Sequence, residues 1–240
     1  MRLLESGFTN RLFAIGAVIW LAFTTAFPAS AQVQVAYYPF TGDSLASSST
    51  DTYATASNIL AGPGLSGDTE FDSNSGSTEL GVYSGYVPTS ETSAITGSDY
   101  ISFTITPTSK SLSYNGLSFG MDVEAFENPT AFSGSIVIRW SVDGFTSDLL
   151  SKTIGPFPPG PNNGQSGAST NTLSFPAQSG PVTFNCYFYD NQNDDSFNTI
   201  SVNDIAVTAT PVPEPSAWVD LILSAGGLMF LVKHRQSKRL

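Results

Sequence analysis

Regular alternation of apolar and polar residues marks the middle of the chain. Ile101, Phe103 and Ile105 alternate with serine and threonine, and a period of two residues places one set of side chains on a buried face. The same period recurs in the segments 117–123 and 136–142. We therefore expect three strands, each with one face in a hydrophobic core.

Turn signals and polar stretches separate these strands. Dipeptides that favour turns precede the second strand and follow the third, namely Asn115-Gly116 and Asp143-Gly144. The segment 155–164 has no periodicity, and its Gly, Pro and Asn content predicts a long exposed loop. The Ser-, Gly- and Asp-rich region 47–98 is expected to hold loops and short strands. No amphipathic helix of ordinary length is apparent in residues 32–210.

The last apolar pattern changes phase. Ile200 and Val202 share one parity, whereas Ile205 and Val207 share the other. A β-bulge near Asn203-Asp204 would account for the change. Many short strands without helices predict an all-β fold, and we expect an antiparallel, jelly-roll-like β-sandwich in residues 32–210.

Cysteine and aromatic residues complete the predicted core. Cys186 is the only cysteine, so an intramolecular disulfide is excluded and stability must come from the core. Its alternating position beside Phe184 and Phe188 predicts a buried thiol, and Trp140 is expected in the core by the same argument. The remaining aromatic residues of that strand, Tyr187 and Tyr189, lie on the opposite face. They either pack against a neighbouring strand or form an exposed aromatic platform.

The first 31 residues have the features of a secretory signal peptide. Arg2 and Arg11 precede the apolar run Leu12–Phe23. Ala29 and Ala31 supply the small residues that signal peptidase requires before a cut at Gln32. We therefore expect residues 1–31 to direct the chain to the secretion translocon and to be removed; an uncleaved anchor is the alternative.

Residues 211–240 combine a proline-bracketed acid, an apolar stretch at 217–232 and a basic tail at 233–240. The motif itself is Val212-Pro213-Glu214-Pro215-Ser216. Its prolines favour extended backbone that cannot join a helix. The apolar stretch has sixteen residues and would be about 24 Å long as a transmembrane helix. This is shorter than the hydrocarbon core of a bilayer, which is roughly 30 Å thick. The basic tail is expected to stay cytoplasmic, which places the preceding domain outside.

This order of parts resembles the PEP-CTERM sorting signal of Gram-negative bacteria, which an exosortase-type enzyme recognises in exported proteins. The resemblance implies an inner-membrane anchor before processing, a cut near Pro-Glu-Pro, and then a place at the cell surface or in the extracellular matrix. Asp220 departs from the usual apolar stretch. An unprocessed tail anchor is the alternative.

A second, looser resemblance covers much of residues 36–208. It rests on the opening 36–48, on Leu117-Ser118-Phe119, and on the segments 140–145 and 200–207. These segments look like those of other PEP-CTERM proteins, from planctomycete- and verrucomicrobia-type bacteria, whose domains are similar to carbohydrate-binding jelly rolls. The resemblance implies a sandwich architecture and suggests sugar binding.

The charge of the predicted domain excludes one class of partner. Residues 32–210 contain three basic residues against seventeen acidic ones, a formal charge of −14, so nucleic acid is not a partner. Such a surface suits solubility or cation binding in an exterior matrix. The only histidine is His234, in the basic tail. Ser-His-Asp and Cys-His catalysis and histidine-bearing zinc sites are therefore excluded from the domain.

Two acidic segments are weak candidates for calcium, and no other cofactor is expected. Asp190, Asp194 and Asp195 lie in a turn between two strands, where oxygen-rich side chains either bind calcium or simply favour the turn. A second set has part of the spacing of a calcium loop: Asp68, Glu70, Asp72, Asn74 and Glu79. Ser73 stands where that loop needs glycine, so a solvated acidic loop is the simpler interpretation.

Three functions remain. The leading hypothesis is a non-enzymatic, exported surface or matrix protein. The alternative is a lectin-like module that binds extracellular polysaccharide, with or without calcium. The third is a carboxylate-based glycan hydrolase or lyase, which needs only two acids about 5–10 Å apart. No pair of acids stands out in the sequence; Glu124 and Glu127, for example, are typical of a solvated strand end.

Overall fold

A computed structural model describes residues 31–42, 44–65, 69–72, 79–83, 87–128, 131–158, 160–192 and 198–212. The chain divides into two compact units, residues 1–31 and residues 32–240. All described strands lie in the second unit. Of the residues expected to form the signal peptide, the structure describes only Ala31. The residues after Val212 also lie outside the described part of the chain.

The described residues form twelve strands and one short helix. The strands are β1 (Val33–Tyr38), β2 (Ala54–Ala56), β3 (Leu60–Ala61), β4 (Thr69–Asp72), β5 (Glu79–Tyr83), β6 (Tyr100–Pro107), β7 (Ser111–Asn128), β8 (Phe132–Trp140), β9 (Leu150–Phe157), β10 (Gly160–Asn171), β11 (Val182–Asp190) and β12 (Thr199–Val212). The helix, α1, is Glu91–Gly97.

The strands form two antiparallel sheets. Sheet A has the order β10-β7-β12-β5-β4, with β1 also paired to β12, and sheet B has the order β2-β6-β11-β8-β9, with β3 also paired to β6. From β6 to β7 and from β7 to β8 the chain passes from one sheet to the other. It crosses again from β9 to β10 and at each later step to β12. The predicted antiparallel β-sandwich is confirmed.

Aromatic rings fill the space between the sheets. Phe184 of β11 stacks on Phe103 of β6 with ring centroids 5.2 Å apart, and the Trp140 ring lies 6.2 Å from Phe184. Tyr114 of β7 meets Trp140 edge-on from sheet A, at 6.3 Å. Such aromatic pairs stabilise the core through the large apolar area that they bury and through their preferred ring orientations. Cys186 is fully buried beside them, as predicted, and burial raises the pKa of its thiol.

Strand β12 contains the predicted bulge. Its register against β7 shifts between Asn203 and Ala206, and Asp204 has a left-handed φ of 48°. The extra residue lets the side chains before the bulge, Ile200 and Val202, and those after it, Ile205 and Val207, face the same core. The phase change in the sequence therefore has the predicted cause.

The prediction of a long exposed loop at 155–164 is wrong. β9 continues to Phe157 and β10 begins at Gly160, so two residues connect them. β10 pairs with β7 along its whole length, from Gly160 opposite Asn128 to Asn171 opposite Leu117. An edge strand of this kind is held by backbone hydrogen bonds, so its sequence needs no apolar alternation and tolerates Gly and Pro.

Two smaller expectations are also corrected. Asn115-Gly116 does not lead into a strand but lies within β7, at a second register shift against β12. The alternation of β8 ends at Trp140, because Ser141–Asp143 form a 3₁₀ turn. Val142 consequently has 39% of its surface exposed instead of joining the core. The predicted turn at Asp143-Gly144 is confirmed, with Gly144 at φ 71°.

Helix α1 is too short to give a clear sequence signal. Ser90 caps its first turn by accepting a hydrogen bond from the Ser93 backbone N–H at 3.3 Å. Its one buried side chain, Ala94, packs the helix onto sheet B, where it contacts β11. Cap and packing together stabilise a segment that would not be helical alone.

The edges of the two sheets meet along β9 and β10. Ser169 of β10 donates its hydroxyl to the carbonyl of Ser151 in β9 at 3.3 Å. Asn171 of β10 donates its side-chain amide to the carbonyl of Leu149. Side chains of one sheet thus bind backbone groups at the edge of the other and close this side of the sandwich.

Trp140 and Val142 share a parity in the sequence but differ in burial, which gives a matched test of the core. Trp140→Ala should lower the free energy of unfolding by about 3–5 kcal/mol because it removes a large buried ring. Val142→Ala should change it by less than about 0.5 kcal/mol. Urea unfolding followed by far-ultraviolet circular dichroism measures both; similar losses in the two variants would contradict the observed end of β8.

Candidate functional site

The outward face of sheet B is largely covered. Tyr187 is 4% exposed, and its ring meets Tyr100 edge-on at 5.3 Å. Tyr187 therefore packs against the neighbouring strand β6 and does not form an exposed aromatic platform. Tyr189 is half-buried, and burial, with help from the charges of Glu91 and Asp148, raises the pKa of its phenol.

An arginine links this face to its cover. Arg139 of β8 donates Nη2 to Glu91 of α1 at 2.6 Å and Nε to Asp148 at 2.7 Å. Its Nη1 also donates to the carbonyl of Phe145 at 3.1 Å. Because the guanidinium binds partners on two separate segments, the helix and the 141–149 loop, it fixes both to the sheet. We interpret this cluster as structural.

The outward face of sheet A is different, because it carries a continuous series of hydrogen-bonding side chains. They alternate with the core residues of β12, β7, β5 and β1. We call them the polar row; its members are Glu79, Asn203, Asp122, Asp204, Tyr37, Thr208, Asn115, Thr210 and Gln32.

Asn203 is the centre of one half of the polar row. Its Nδ2 donates to Asp122 Oδ2 at 2.7 Å and to Glu79 Oε1 at 3.3 Å. A single amide of β12 thus bridges carboxylates on the two neighbouring strands, β7 and β5. The bridge fixes the rotamers of all three side chains, while Asn203 and Asp122 keep part of their surface exposed.

Glycine on β7 makes space for this bridge. Gly120 lies opposite Asn203 in the register, and a Cβ built at Gly120 would collide with Asn203 Oδ1. Gly116 stands in the same relation to Thr208, whose Oγ1 occupies the space that a Cβ would need. The two glycines therefore let polar side chains of β12 lie flat across the face of sheet A.

The second half of the polar row centres on Thr208. Its hydroxyl donates to Asn115 Oδ1 at 3.2 Å and accepts from Gln32 Nε2 at 2.5 Å. Asn115 Nδ2 in turn donates to Thr210 Oγ1 at 2.7 Å. From Asn203 to Thr210 the row extends for roughly 20 Å along β12.

Tyr37 and Asp204 lie between the two halves along β12. The Tyr37 hydroxyl donates to Asp204 Oδ1 at 2.6 Å. This hydrogen bond, together with slight burial and the carboxylate charge, raises the pKa of the Tyr37 phenol. The phenol therefore stays neutral, and the side chain lies half-buried beside the bulge of β12.

The polar row is also strongly electronegative. It contains Glu79, Asp122 and Asp204, and Glu124 lies further along the same face of β7. The strands of sheet A contain no lysine or arginine. The face can accept hydrogen bonds from hydroxyl groups and repels anions.

The calcium candidates are not assembled into a site among the described residues. Asp190 is buried at the end of β11 and accepts a hydrogen bond from the Gln192 backbone N–H at 2.9 Å; Asp194 and Asp195 lie outside the described part. Of the second set, Asp72 and Glu79 are cross-strand partners in β4 and β5, and Asp68 and Asn74 lie outside the described residues. In the described ranges no three Asp, Glu, His or Cys side chains are grouped to hold a metal ion.

The predicted sorting and cleavage residues lie at the limits of the described chain. Val212 is the last residue of β12, and Pro213, Glu214, Pro215 and Ser216 lie outside the described residues, as does Ala29. Gln32 is exposed and bound to Thr208. None of the helices described here is long and apolar enough to cross a membrane; the stretch 217–232 is beyond the part searched.

Comparison with known proteins gives structural similarities only. No family model and no curated protein matches this chain. A cleaved adhesin domain of Lys-gingipain from Porphyromonas gingivalis is 15% identical, with 73% of this chain and 99% of that chain covered and a TM-score of 0.37. The C-terminal family 22 carbohydrate binding module of Clostridium thermocellum Xyn10B is 14% identical, with coverages of 73% and 92% and a TM-score of 0.32. A family 29 carbohydrate binding module is 9% identical, with coverages of 75% and 88% and a TM-score of 0.30. We transfer no ligand from these proteins.

Two glycines beside the same carboxylate-lined face test the Asn203 bridge. Gly120→Ala should push Asn203 away from Asp122 and Glu79 and cost roughly 1–3 kcal/mol of stability, as overpacking does. Gly164→Ala on β10 is the matched control, since its Cβ would meet only Glu124 Cγ at 3.6 Å and the Val123 carbonyl at 3.8 Å. It should change stability by less than about 0.5 kcal/mol. Chemical unfolding measures the stability of both variants. If Gly120→Ala leaves the stability unchanged, the bridge is not formed as described.

Proposed function

We propose that this chain is an exported, non-catalytic surface or matrix protein that binds a neutral polysaccharide along the polar row. The supporting observation is the ordered series of amide, hydroxyl and carboxylate groups on the outward face of sheet A. Hydroxyl groups of a sugar both donate and accept hydrogen bonds, and paired acids and amides match them. The sequence supports export through residues 1–31 and sorting through residues 211–240.

The charge of the face favours a neutral ligand. Asp122 and Asp204 lie on this face, and the strands of sheet A contain no lysine or arginine, so an anionic polysaccharide would be repelled at low ionic strength. A neutral chain gains hydrogen bonds without that cost. The row is also about 20 Å long, a length that several residues of an extended polymer could follow.

The same geometry argues against glycoside hydrolysis. A carboxylate pair cleaves a glycosidic bond only when the sugar lies between the two acids. Here the Asn203 amide occupies the space between Asp122 and Glu79 and donates to both. The third function considered from the sequence therefore has less support than binding.

Affinity electrophoresis of the mature protein tests polysaccharide binding. Native gels containing xylan, mixed-linkage glucan, mannan or hydroxyethylcellulose should retard the protein in at least one case, whereas alginate should not. Asn203→Ala should weaken that retardation about fivefold or more, the loss expected for roughly 1 kcal/mol of hydrogen bonding.

A matched variant on the other sheet controls for general effects. Thr104→Ala removes a hydroxyl that is hydrogen bonded to Thr183 at 2.9 Å on the outward face of sheet B, and it should leave retardation unchanged. Equal effects of Thr104→Ala and Asn203→Ala, or no retardation by any neutral polymer, would reject the polar row as the binding surface.

Processing is tested by the intact mass of the native protein. In a host that contains the sorting enzyme, the mature chain should begin at Gln32 and lack residues 217–240, because both ends carry removable signals. The same chain in a host without that enzyme should lose only residues 1–31. If the full C-terminus persists in both hosts, the segment is a plain tail anchor.

A further inference from the structure

Strand β12 remains in sheet A up to the start of the sorting motif. Pro211 pairs with Leu112, and Val212 pairs with Ser111 of β7. Pro213 follows Val212 directly in the sequence. The folded domain and the motif are therefore joined without a linker.

The distance from this sheet to the proposed membrane segment is short. Four residues, 213–216, separate Val212 from Ala217, which allows a span of at most about 18 Å. Roughly 5–8 Å of that span lies within the headgroup region. About 10 Å then remains between sheet and headgroups, no more than the diameter of a single helix. So narrow a gap leaves little room for an enzyme between the folded domain and the membrane.

The end of β12 is held from one side only. β1 pairs with β12 no further than Val33 opposite Ala209, so the backbone of Thr210, Pro211 and Val212 pairs with β7 alone, and of these three side chains Pro211 is the buried one. Pro211 has no N–H to donate. The Asn115 side-chain amide adds a hydrogen bond to this end, donating to Thr210 Oγ1 at 2.7 Å. Local opening of such a short, one-sided segment requires much less free energy than unfolding the sandwich.

We infer that the sorting enzyme acts on an opened form of the domain in which Thr210–Val212 have left β7, so that the motif can reach the enzyme. The inference rests on the proposed sorting function. Opening lengthens the free segment from four residues to seven and its reach to about 29 Å. The rate of processing then follows the population of the opened form.

A disulfide across the last pair tests this inference in the full chain. Ser111→Cys with Val212→Cys joins two cross-strand partners, whose Cα separation of about 4.5–5.5 Å suits a disulfide. Pulse-chase labelling in a host with the sorting enzyme should show processing slowed at least tenfold, with recovery after a reductant is added. A control disulfide, Ser135→Cys with Thr153→Cys, joins partners in β8 and β9 and should leave the rate unchanged.

A linker insertion separates restricted access from misfolding. Six Gly and Ser residues placed between Val212 and Pro213 of the disulfide variant should restore the normal rate, because the motif then reaches the enzyme with β12 closed. Processing of the 111–212 disulfide variant at the normal rate overturns the inference, and so does failure of the insertion to restore it. If the unaltered chain is not processed at all, the sorting function itself is rejected.

Discussion

The bulge in β12 is the constraint on which both faces of sheet A depend. Side chains of a regular strand point alternately to the two faces of the sheet. A strand of fourteen residues therefore keeps one face apolar only if every second residue in its sequence is apolar throughout. Here the phase changes, and the extra residue at Asp204 restores Ile205 to the core. It also places Asn203 and Thr208 on the same outward face, on either side of Tyr37 and Asp204. Without the bulge, core and polar row would exchange sides halfway along the strand.

Much of the core was predictable because burial on one face leaves a period of two in the sequence. The strands around Phe103, Phe119, Ile138 and Phe184 follow that period and lie where it places them. The bulge was predictable for the same reason. β10 was not, since a strand held at an edge by backbone bonds carries no apolar period. Helix α1 was missed because its stability comes from a cap and from one alanine against sheet B.

The polar row could not be found from the sequence, and the reason is topological. Asn203 lies 81 residues from Asp122 and 124 residues from Glu79, and only the strand order β7-β12-β5 makes them neighbours. Gly120 gave no signal either, since the space it leaves for Asn203 depends on the register of another strand. The candidates that the sequence did offer were local clusters in turns, where acids are common for conformational reasons.

Closure of the sandwich along β9 and β10 has a consequence for how copies of the domain meet. Exposed strand edges act as templates on which further copies add their own strands, and crowding favours such growth. In this fold, Ser169 and Asn171 already bind the carbonyls of Ser151 in β9 and of Leu149 just before it. This edge of the domain is thus less open to the addition of a strand from a second copy.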